Sequence, residues 1–290
     1  MLYPAELWAV GMTDFNWLLL IGLSLSISSF AQFPADVGDD KYQPRLGQEG
    51  KDVIWMPTSN ELIAQMLKTA KVSPNDLVYD LGAGDGRIAI AAAKDFGART
   101  VGIEFNPDMA AFAQRNANRA GVGDRVRIIN GDIFKEDFSK ATVVTMYLLP
   151  DLNLRLRPII LAMKPGTRVV SHAFTMGDWE ADKEIDAGQR GYYWVVPANV
   201  AGEWQLDGVD VNNKGTLSLS QRYQRVGGNL TISGKSQPIL NPTLEGDKLS
   251  FGYLDRKNNL HSVKVTVNGS QLKGEDKGGT TFTEVTGKRR

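Results

Sequence analysis

The chain has 290 residues, of which 42% are apolar and 23% charged, a composition typical of a folded globular protein rather than a disordered one. Basic and acidic residues number 33 each, so the formal net charge is zero and no long-range field predicts nucleic-acid binding. The absence of cysteine excludes disulfides, thiol nucleophiles and cysteine-bound metals, and with only two histidines we expect no metal site.

The N-terminal part contains an uncharged apolar run, Trp17–Ala31. It is shorter than the roughly 20 residues of a bilayer span, and Ser29 and Ala31 suit a signal-peptide cleavage site. No basic residue precedes the run, and the first one, Lys41, follows it, which favours an anchor whose C-terminal side faces the cytoplasm. We therefore predict that residues 1–31 are a signal peptide or a membrane anchor. The protein would then be exported to the periplasm or anchored to a membrane, with the cytoplasmic face of the membrane as the alternative. An ordinary apolar helix packed on the domain is another reading of the same run.

The next two regions differ in their hydrophobic pattern. Residues 32–52 contain prolines, glycines and charges without periodicity, which predicts a linker. From residue 53 to 180, apolar runs of strand length alternate with helix-patterned stretches. This alternation predicts an α/β domain, in which a Rossmann-like parallel sheet carries helices on both faces. Such sheets bind ligands at the carboxyl ends of their strands.

A glycine-rich loop follows the first predicted strand of this domain, with Gly82, Gly84 and Gly86 two residues apart and Asp80 just before them. Glycine lets the chain turn sharply into a helix while a ligand touches the backbone, and the free N–H groups of that helix favour an anion. The pattern is not that of a dinucleotide site, because Arg87 stands where the third glycine would be. A P-loop is excluded because no Gly-Lys-Ser/Thr follows, whereas a purely structural turn remains an alternative.

Acidic residues follow the next two predicted strands. Glu104 lies one helix and one strand after Asp80, where a carboxylate can accept hydrogen bonds from the two hydroxyls of a ribose. Asp132 is placed to accept a hydrogen bond from an adenine amino group, with Ile133 against the base. The first three strands thus predict one nucleoside-binding edge, to which we add Asn106.

Two stretches resemble known motifs. Val78–Gly86 is similar to motif I of the class I S-adenosylmethionine (SAM)-dependent methyltransferases, and Val101–Glu104 to their acidic motif. Within the class, three stretches are similar to small protein-lysine methyltransferases and to bacterial methyltransferase-domain proteins: Trp55–Thr58, Gly84–Ile88, and Tyr147–Pro150 with Leu156–Pro158 behind it. The resemblance covers roughly residues 53–176. It implies SAM as the methyl donor, with Asp80, Gly82, Gly84, Glu104 and Asp132 as its contacts, and a protein lysine amine as one possible acceptor.

Candidate residues for the acceptor side follow the fourth and fifth predicted strands. Tyr147 is a candidate wall for the acceptor, because an aromatic face favours a methylated cation, although a core aromatic would also end a strand in this way. Asp151 and His172 are candidate bases for an amine that must lose a proton, and His172 could equally be structural. Thr58 is expected either to contact SAM or to cap its helix.

Residues 188–290 have a different pattern, with short alternating runs rich in glycine, asparagine, threonine and serine. Asn268-Gly269 after one such run is a strong hairpin signal. We predict an all-β domain here, either an antiparallel sandwich or a small barrel. Tyr192–Trp194 and Trp204 are expected in its core, with a binding face as the alternative.

The functional prediction is a transferase that catalyses SAM-dependent methylation of an acceptor, without a nucleic-acid partner. The alternative is an exported, non-catalytic protein that uses a SAM-type fold as an interaction module. The apolar N-terminal run favours the alternative, because SAM is scarce outside the cytosol. The intact set of Asp80, glycine and Glu104 residues favours the enzyme.

Overall fold

The structure is a computed structural model that describes residues 38–52 and 54–290. The predicted signal or anchor segment, residues 1–31, lies outside the described residues. Within the described part of the chain, no helix is long and apolar enough to cross a membrane.

A seven-stranded mixed sheet forms the first half of the described chain. Its five parallel strands lie in the order β3-β2-β1-β4-β5, and β7 and β6 extend it in antiparallel fashion beyond β5. The order reverses between β1 and β4, and the crevice at such a reversal is where open α/β sheets bind ligands. The strands are β1 (Leu77–Leu81), β2 (Arg99–Glu104), β3 (Val126–Asn130), β4 (Val143–Met146), β5 (Arg168–His172), β6 (Lys183–Asp186) and β7 (Arg190–Val195).

Four helices cover this sheet: α1 (Asn60–Thr69), α2 (Arg87–Phe96), α3 (Pro107–Arg119) and α4 (Pro150–Leu161). Neighbouring strand residues face opposite sides of the sheet, so Val170 packs with α1 and α2 whereas Val169 packs with α4. Helices therefore lie on both faces, which confirms the predicted α/β fold.

The end of this sheet lies further along the chain than predicted. The sequence pattern predicts that Tyr192–Trp194 lies in the core of the C-terminal β domain, but this run belongs to β7 and pairs with Val169–Ser171 of β5. A short apolar run fits an edge of either sheet, and local sequence does not distinguish them. The α/β domain consequently continues beyond residue 180, and the second sheet begins at Gly202 rather than at residue 188.

The C-terminal region is a single nine-stranded antiparallel sheet with strand order β11-β10-β9-β8-β16-β15-β14-β13-β12. Its two edge strands, β11 and β12, are separated in the chain by Ile239 alone, so the two edges of the sheet meet at that point. One core that includes Trp204, Phe251 and Val285 fills the interior, so the sheet forms a nearly closed barrel, one of the two predicted forms. The strands are β8 (Gly202–Gly208), β9 (Asn213–Arg222), β10 (Arg225–Ile232), β11 (Lys235–Pro238), β12 (Leu240–Glu245), β13 (Lys248–Leu254), β14 (Leu260–Asn268), β15 (Gln271–Gly278) and β16 (Thr281–Arg289), with one helical turn α5 (Val209–Asn212) between β8 and β9.

The turn between β9 and β10 joins the barrel to the α/β domain. Trp179 donates its indole N–H to Gln224 Oε1 at 3.1 Å, and its ring stacks on Tyr223. Trp179 is fully buried, so this contact is part of the core rather than a surface bridge. The barrel is therefore packed directly against the α/β domain.

Candidate functional site

The glycine loop after β1 has the conformation that the sequence predicts. Gly82, Gly84 and Gly86 all have positive φ values, of 77°, 55° and 82°, which residues with a side chain rarely adopt. A Cβ on Gly84 would lie 2.8 Å from Nε1 of Trp55, so the loop leaves no room for a side chain there. Gly86 has a different role, because its Cα faces Ala113 and allows the start of α2 to approach α3.

The carboxylate of Glu104 joins the loops after β1 and β2. One oxygen accepts the backbone N–H of Gly84 and the other that of Asn106, each at 2.9 Å. The Asn106 side chain in turn caps α3 by accepting the N–H groups of Asp108 and Met109. Each carboxylate oxygen has a second lone pair, so Glu104 can still accept the ribose hydroxyls that the sequence predicts. Burial raises the pKa of Glu104, and the backbone hydrogen bonds oppose this shift.

Asp80 lies behind this loop and is 2% exposed. Thr145 donates to its Oδ1 at 2.7 Å, whereas its Oδ2 has no hydrogen-bond partner within the described residues. Burial raises the pKa of Asp80 to about 7, and the nearby carboxylates of Asp85 and Glu104 act in the same direction. A buried acceptor without a donor is unusual in a folded protein, and a cationic ligand would supply one.

Asp132 and Ile133 lie at the end of β3 on the same rim. Asp132 accepts the N–H of Phe134 with one oxygen and the Lys51 ammonium with the other, both at 3.0 Å. These two donors lower the pKa of Asp132. Lys51 also lies over the ring of Phe105, 4.8 Å from its centroid. The acceptor assigned to adenine is therefore already bound to a side chain from a region predicted to be a linker.

That predicted linker ends in a small hairpin that covers the rim. We call residues 47–52 and 54–55 the N-terminal strap. Gly47 and Gln48 each form one backbone hydrogen bond with Trp55, at 3.0 and 2.9 Å. The strap lines the cavity beside the glycine loop, so this part of the chain is a wall of the site. Proline- and glycine-rich composition predicts irregular backbone but not where it packs, which is why the sequence missed this role.

The acceptor side of the rim is aromatic. The ring centroids of Tyr147 and His172 are 3.7 Å apart, and Phe174 stacks on Tyr147 at 6.3 Å. His172 is 3% exposed, its Nδ1 lies 2.9 Å from Thr58 Oγ1, and burial lowers its pKa to about 4. His172 is therefore neutral at physiological pH and is a poor base there.

The remaining acceptor-side predictions concern Asp151 and Thr58. Asp151 is exposed in the first turn of α4 and does not line the cavity, so the fold gives no support to its role as a base. Ser59, not Thr58, caps α1. Thr58 is buried, its hydroxyl forms a hydrogen bond with Nδ1 of His172, and the residue lines the cavity.

An ion pair between Asp85 and Arg87 is a feature that the sequence did not predict. Arg87 contacts both oxygens of Asp85 through Nε and donates from Nη1 to the carbonyl of Thr58 at 3.1 Å. The pair thereby ties the glycine loop to the segment before α1. Charges in a glycine loop usually face solvent, and only the folded chain shows that Asp85 is buried.

These groups surround one cavity of about 280 Å³ at the switch point of the sheet. Asp80, Gly86, Asp151 and His172 do not line it, although His172 contacts Tyr147, which does. The other predicted residues form its wall: Thr58, Gly82, Gly84, Glu104, Asn106, Asp132, Ile133 and Tyr147.

The chemistry of the cavity fits SAM. The glycine loop excludes any Cβ at Gly84, and Asp80, just behind the cavity wall, offers an unpartnered buried acceptor that suits the ammonium group at the amino-acid end of SAM. Glu104 and Asp132 supply carboxylate oxygens for the ribose and the base. Bound there, SAM would supply an already activated methyl group, which leaves the protein to position the acceptor and to exclude water.

Comparison with known proteins gives the same assignment. Residues 80–183 match the family described as ANTKMT methyltransferase domain. A protein-lysine N-methyltransferase of Saccharolobus islandicus is 44% identical over 153 residues, which cover 52% of this chain and 95% of that protein. An adenine nucleotide translocase lysine N-methyltransferase of Mus musculus is 31% identical over 137 residues, which cover 47% of this chain and 59% of that protein.

Half of this chain is also similar to a protein of known structure. A chain described as an RNA methyltransferase from Salinibacter ruber, in complex with S-adenosyl-L-homocysteine, is 49% identical, with a TM-score of 0.49. The match covers 50% of this chain and 96% of that one. The matched family and the curated relatives are methyltransferases, and none of them supports the exported, non-catalytic alternative. The chain belongs to the class I SAM-dependent methyltransferases, in the protein-lysine N-methyltransferase family, and its cofactor is SAM.

Proposed function

We propose that the acceptor is the side-chain amine of a lysine in a protein. The observation that carries this proposal is the aromatic wall of Tyr147, His172 and Phe174 beside the SAM cavity. Such a wall accommodates the aliphatic stem of a lysine, and aromatic faces attract the methylated ammonium that forms. The names of the curated relatives, which are lysine N-methyltransferases, support the same acceptor.

The wall also explains how the amine would lose its proton. A free lysine has a pKa near 10.4, and an apolar environment lowers it because burial disfavours the charged form. Burial lowers the pKa of His172 and raises that of Tyr147, so neither side chain is a good proton acceptor near neutral pH. We propose that desolvation by the wall deprotonates the lysine and that the proton passes to water.

The test is methyl-labelling of a cell extract by the purified full chain with methyl-labelled SAM. Label that is removed by protease and not by ribonuclease, and that mass spectrometry assigns to lysine, supports the proposal. Label on RNA, on a small molecule or on another amino acid would refute it.

Tyr147→Phe should retain most of the rate of methyl transfer because the aromatic face remains. Tyr147→Ala should lower the rate about tenfold or more, which is the order of one cation–π contact and its packing. Equal rates for the two variants would show that the ring does not face the acceptor.

We also propose that residues 1–31 hold the protein at a membrane, with the catalytic domain on the cytoplasmic side. The apolar run Trp17–Ala31 and the position of Lys41 after it support this orientation, and a methyltransferase needs SAM, which is made in the cytosol. Fractionation of cells that express the full chain, compared with a chain that starts at residue 32, tests the anchor. Recovery of both chains in the soluble fraction would contradict it. The orientation is tested by fusing to the C-terminus a phosphatase that works only outside the cytoplasm. Activity of this fused phosphatase would show that the catalytic domain lies on the opposite side of the membrane.

A further inference from the structure

One end of the C-terminal barrel holds a buried polar cluster remote in sequence from the methyltransferase motifs. Tyr253 is the residue before the end of β13, and His261 lies opposite it on β14. The hydroxyl of Tyr253 donates to Asp276 of β15, and Nδ1 of His261 lies 3.0 Å from both oxygens of the same carboxylate. His261 is 5% exposed and Asp276 is 1% exposed, so the barrel buries these groups almost completely.

The hydrogen bonds define which nitrogen of His261 carries the proton. Asp276 accepts hydrogen bonds from the Tyr253 hydroxyl and from the Asp210 N–H, so it also acts as the acceptor toward His261, and Nδ1 is the donor. In the neutral ring, Nε2 therefore carries the lone pair. Within the described residues Nε2 makes no hydrogen bond, and it faces Oδ2 of Asp255 at 3.8 Å, which is too far for one. This oxygen also accepts a hydrogen bond from Nδ2 of Asn259 at 2.8 Å, and a cation placed between Nε2 and Oδ2 would be bound by both atoms.

Asp210, in the turn between β8 and β9, contributes a second carboxylate. One nitrogen of His261 and one oxygen from each of Asp210 and Asp255 all lie within 4.8 Å of one another. The backbone N–H of Asp210 donates to Tyr253 and to Asp276, so the turn is fixed to the same cluster. Three potential ligand atoms thus converge from three separate loops and strands.

We propose that Asp210, Asp255 and His261 bind a divalent transition-metal ion, with Zn²⁺ as the probe. Zinc binds imidazole nitrogen and carboxylate oxygen at roughly 2.0–2.2 Å, which in a tetrahedral site separates the ligand atoms by about 3.4 Å. The 3.8 Å between His261 and Asp255 is close to that value, and Asp210 completes the site with a small side-chain movement. Asp276 acts as a positioning residue, because a carboxylate that holds Nδ1 directs Nε2 toward the metal.

This site could not be predicted from the sequence. A chain with two histidines and no cysteine has none of the short ligand spacings that mark zinc motifs. The ligands lie between 6 and 51 residues apart and meet only because the barrel brings the β8–β9 turn beside the β13–β14 turn. The proposal therefore rests on the barrel and is independent of the methyl acceptor.

The test is titration of the tag-free full chain with Zn²⁺ by calorimetry, after treatment with a chelator. We expect one ion per chain. His261→Asn should weaken binding by about 100-fold or more and Asp276→Asn by about 10- to 100-fold, the latter being the usual effect of losing a partner of a metal-bound histidine. Asp124→Asn, at an exposed acid, and His172→Asn, at the other histidine, should leave the affinity unchanged. Absence of binding to the wild type, or equal binding by His261→Asn, would overturn the proposal.

Folding of the variants is checked by their SAM affinity, since the SAM cavity is formed by other residues, and by far-ultraviolet circular dichroism. Co²⁺ provides a second measurement, because a tetrahedral site with nitrogen and oxygen ligands gives visible absorption bands. These bands should be present in the wild type and absent from Asp210→Asn and Asp255→Asn. Their persistence in both variants would show that the ion binds elsewhere.

Discussion

Replacement of Glu104 by alanine is the most direct test of the site. The substitution removes the acceptor for two backbone N–H groups, those of Gly84 and Asn106, each bonded at 2.9 Å. An unsatisfied buried donor costs about 1–3 kcal/mol. Glu104 is only half-buried, so water can reach part of the gap, and we expect the free energy of unfolding to fall by about 2–3 kcal/mol. A domain of ordinary stability remains folded after a loss of this size.

The same change should weaken SAM binding. If the ribose hydroxyls donate to Glu104, their loss costs about 1–3 kcal/mol, which corresponds to a dissociation constant about 5- to 150-fold higher. Glu104→Gln should have a smaller effect on the free energy of unfolding and on the SAM affinity. Its remaining oxygen can still accept one of the two backbone N–H groups, whereas its new NH₂ group faces the other.

Urea denaturation measures the first effect and titration calorimetry with SAM the second. Glu61→Gln, at an exposed carboxylate on α1, is the matched control and should change stability by no more than about 0.5 kcal/mol. If Glu104→Ala has the unfolding midpoint and the SAM affinity of the wild type, both the connecting role of this carboxylate and its contact with the ribose are wrong.

Three further predictions concern the same cavity. Burial raises the pKa of Asp80 to about 7, so between about pH 4 and pH 7 the folded chain holds a proton on Asp80 that the unfolded chain has lost. The free energy of unfolding should therefore fall as the pH rises from about 4 to 7. Asp80→Asn should flatten this slope in urea denaturation at several pH values, and an unchanged slope would contradict the assignment. Trp55→Ala should uncover Gly84 and weaken SAM binding by about tenfold in calorimetry, whereas Trp55→Phe should keep most of the affinity. Equal losses of SAM affinity in the two variants would show that the aromatic ring does not cover the loop. His172→Gln should lower the rate of methyl transfer without altering the shape of the pH–rate profile between about pH 6 and 9, because the pKa of His172 is near 4; a lost inflection in that range would identify it as a base.

Sequence alone determined the features that depend on neighbours along the chain. The alternation of strand and helix patterns predicted the parallel sheet, and the glycine spacing after β1 predicted a sharp turn into a helix, which the chain makes with positive φ at Gly82 and Gly84. In a parallel sheet the carboxyl ends of the strands lie on one edge, so the order of the strands was sufficient to bring Glu104 and Asp132 to the same rim. These inferences succeeded because each follows from local backbone preference and strand direction.

Tertiary structure decided the features that depend on contacts between distant residues. Lys51 meets Asp132 across 81 residues of chain, and nothing in the composition of the strap predicts which surface it covers. The run Tyr192–Trp194 fits either sheet by its pattern, and only pairing with β5 assigns it. In the same way, His261 and Asp255 share one hairpin, but Asp210 reaches them only when the whole sheet closes into the barrel. Hydrophobic periodicity predicts which side of a strand is buried, but the partner that buries it is chosen by the packing of the whole chain.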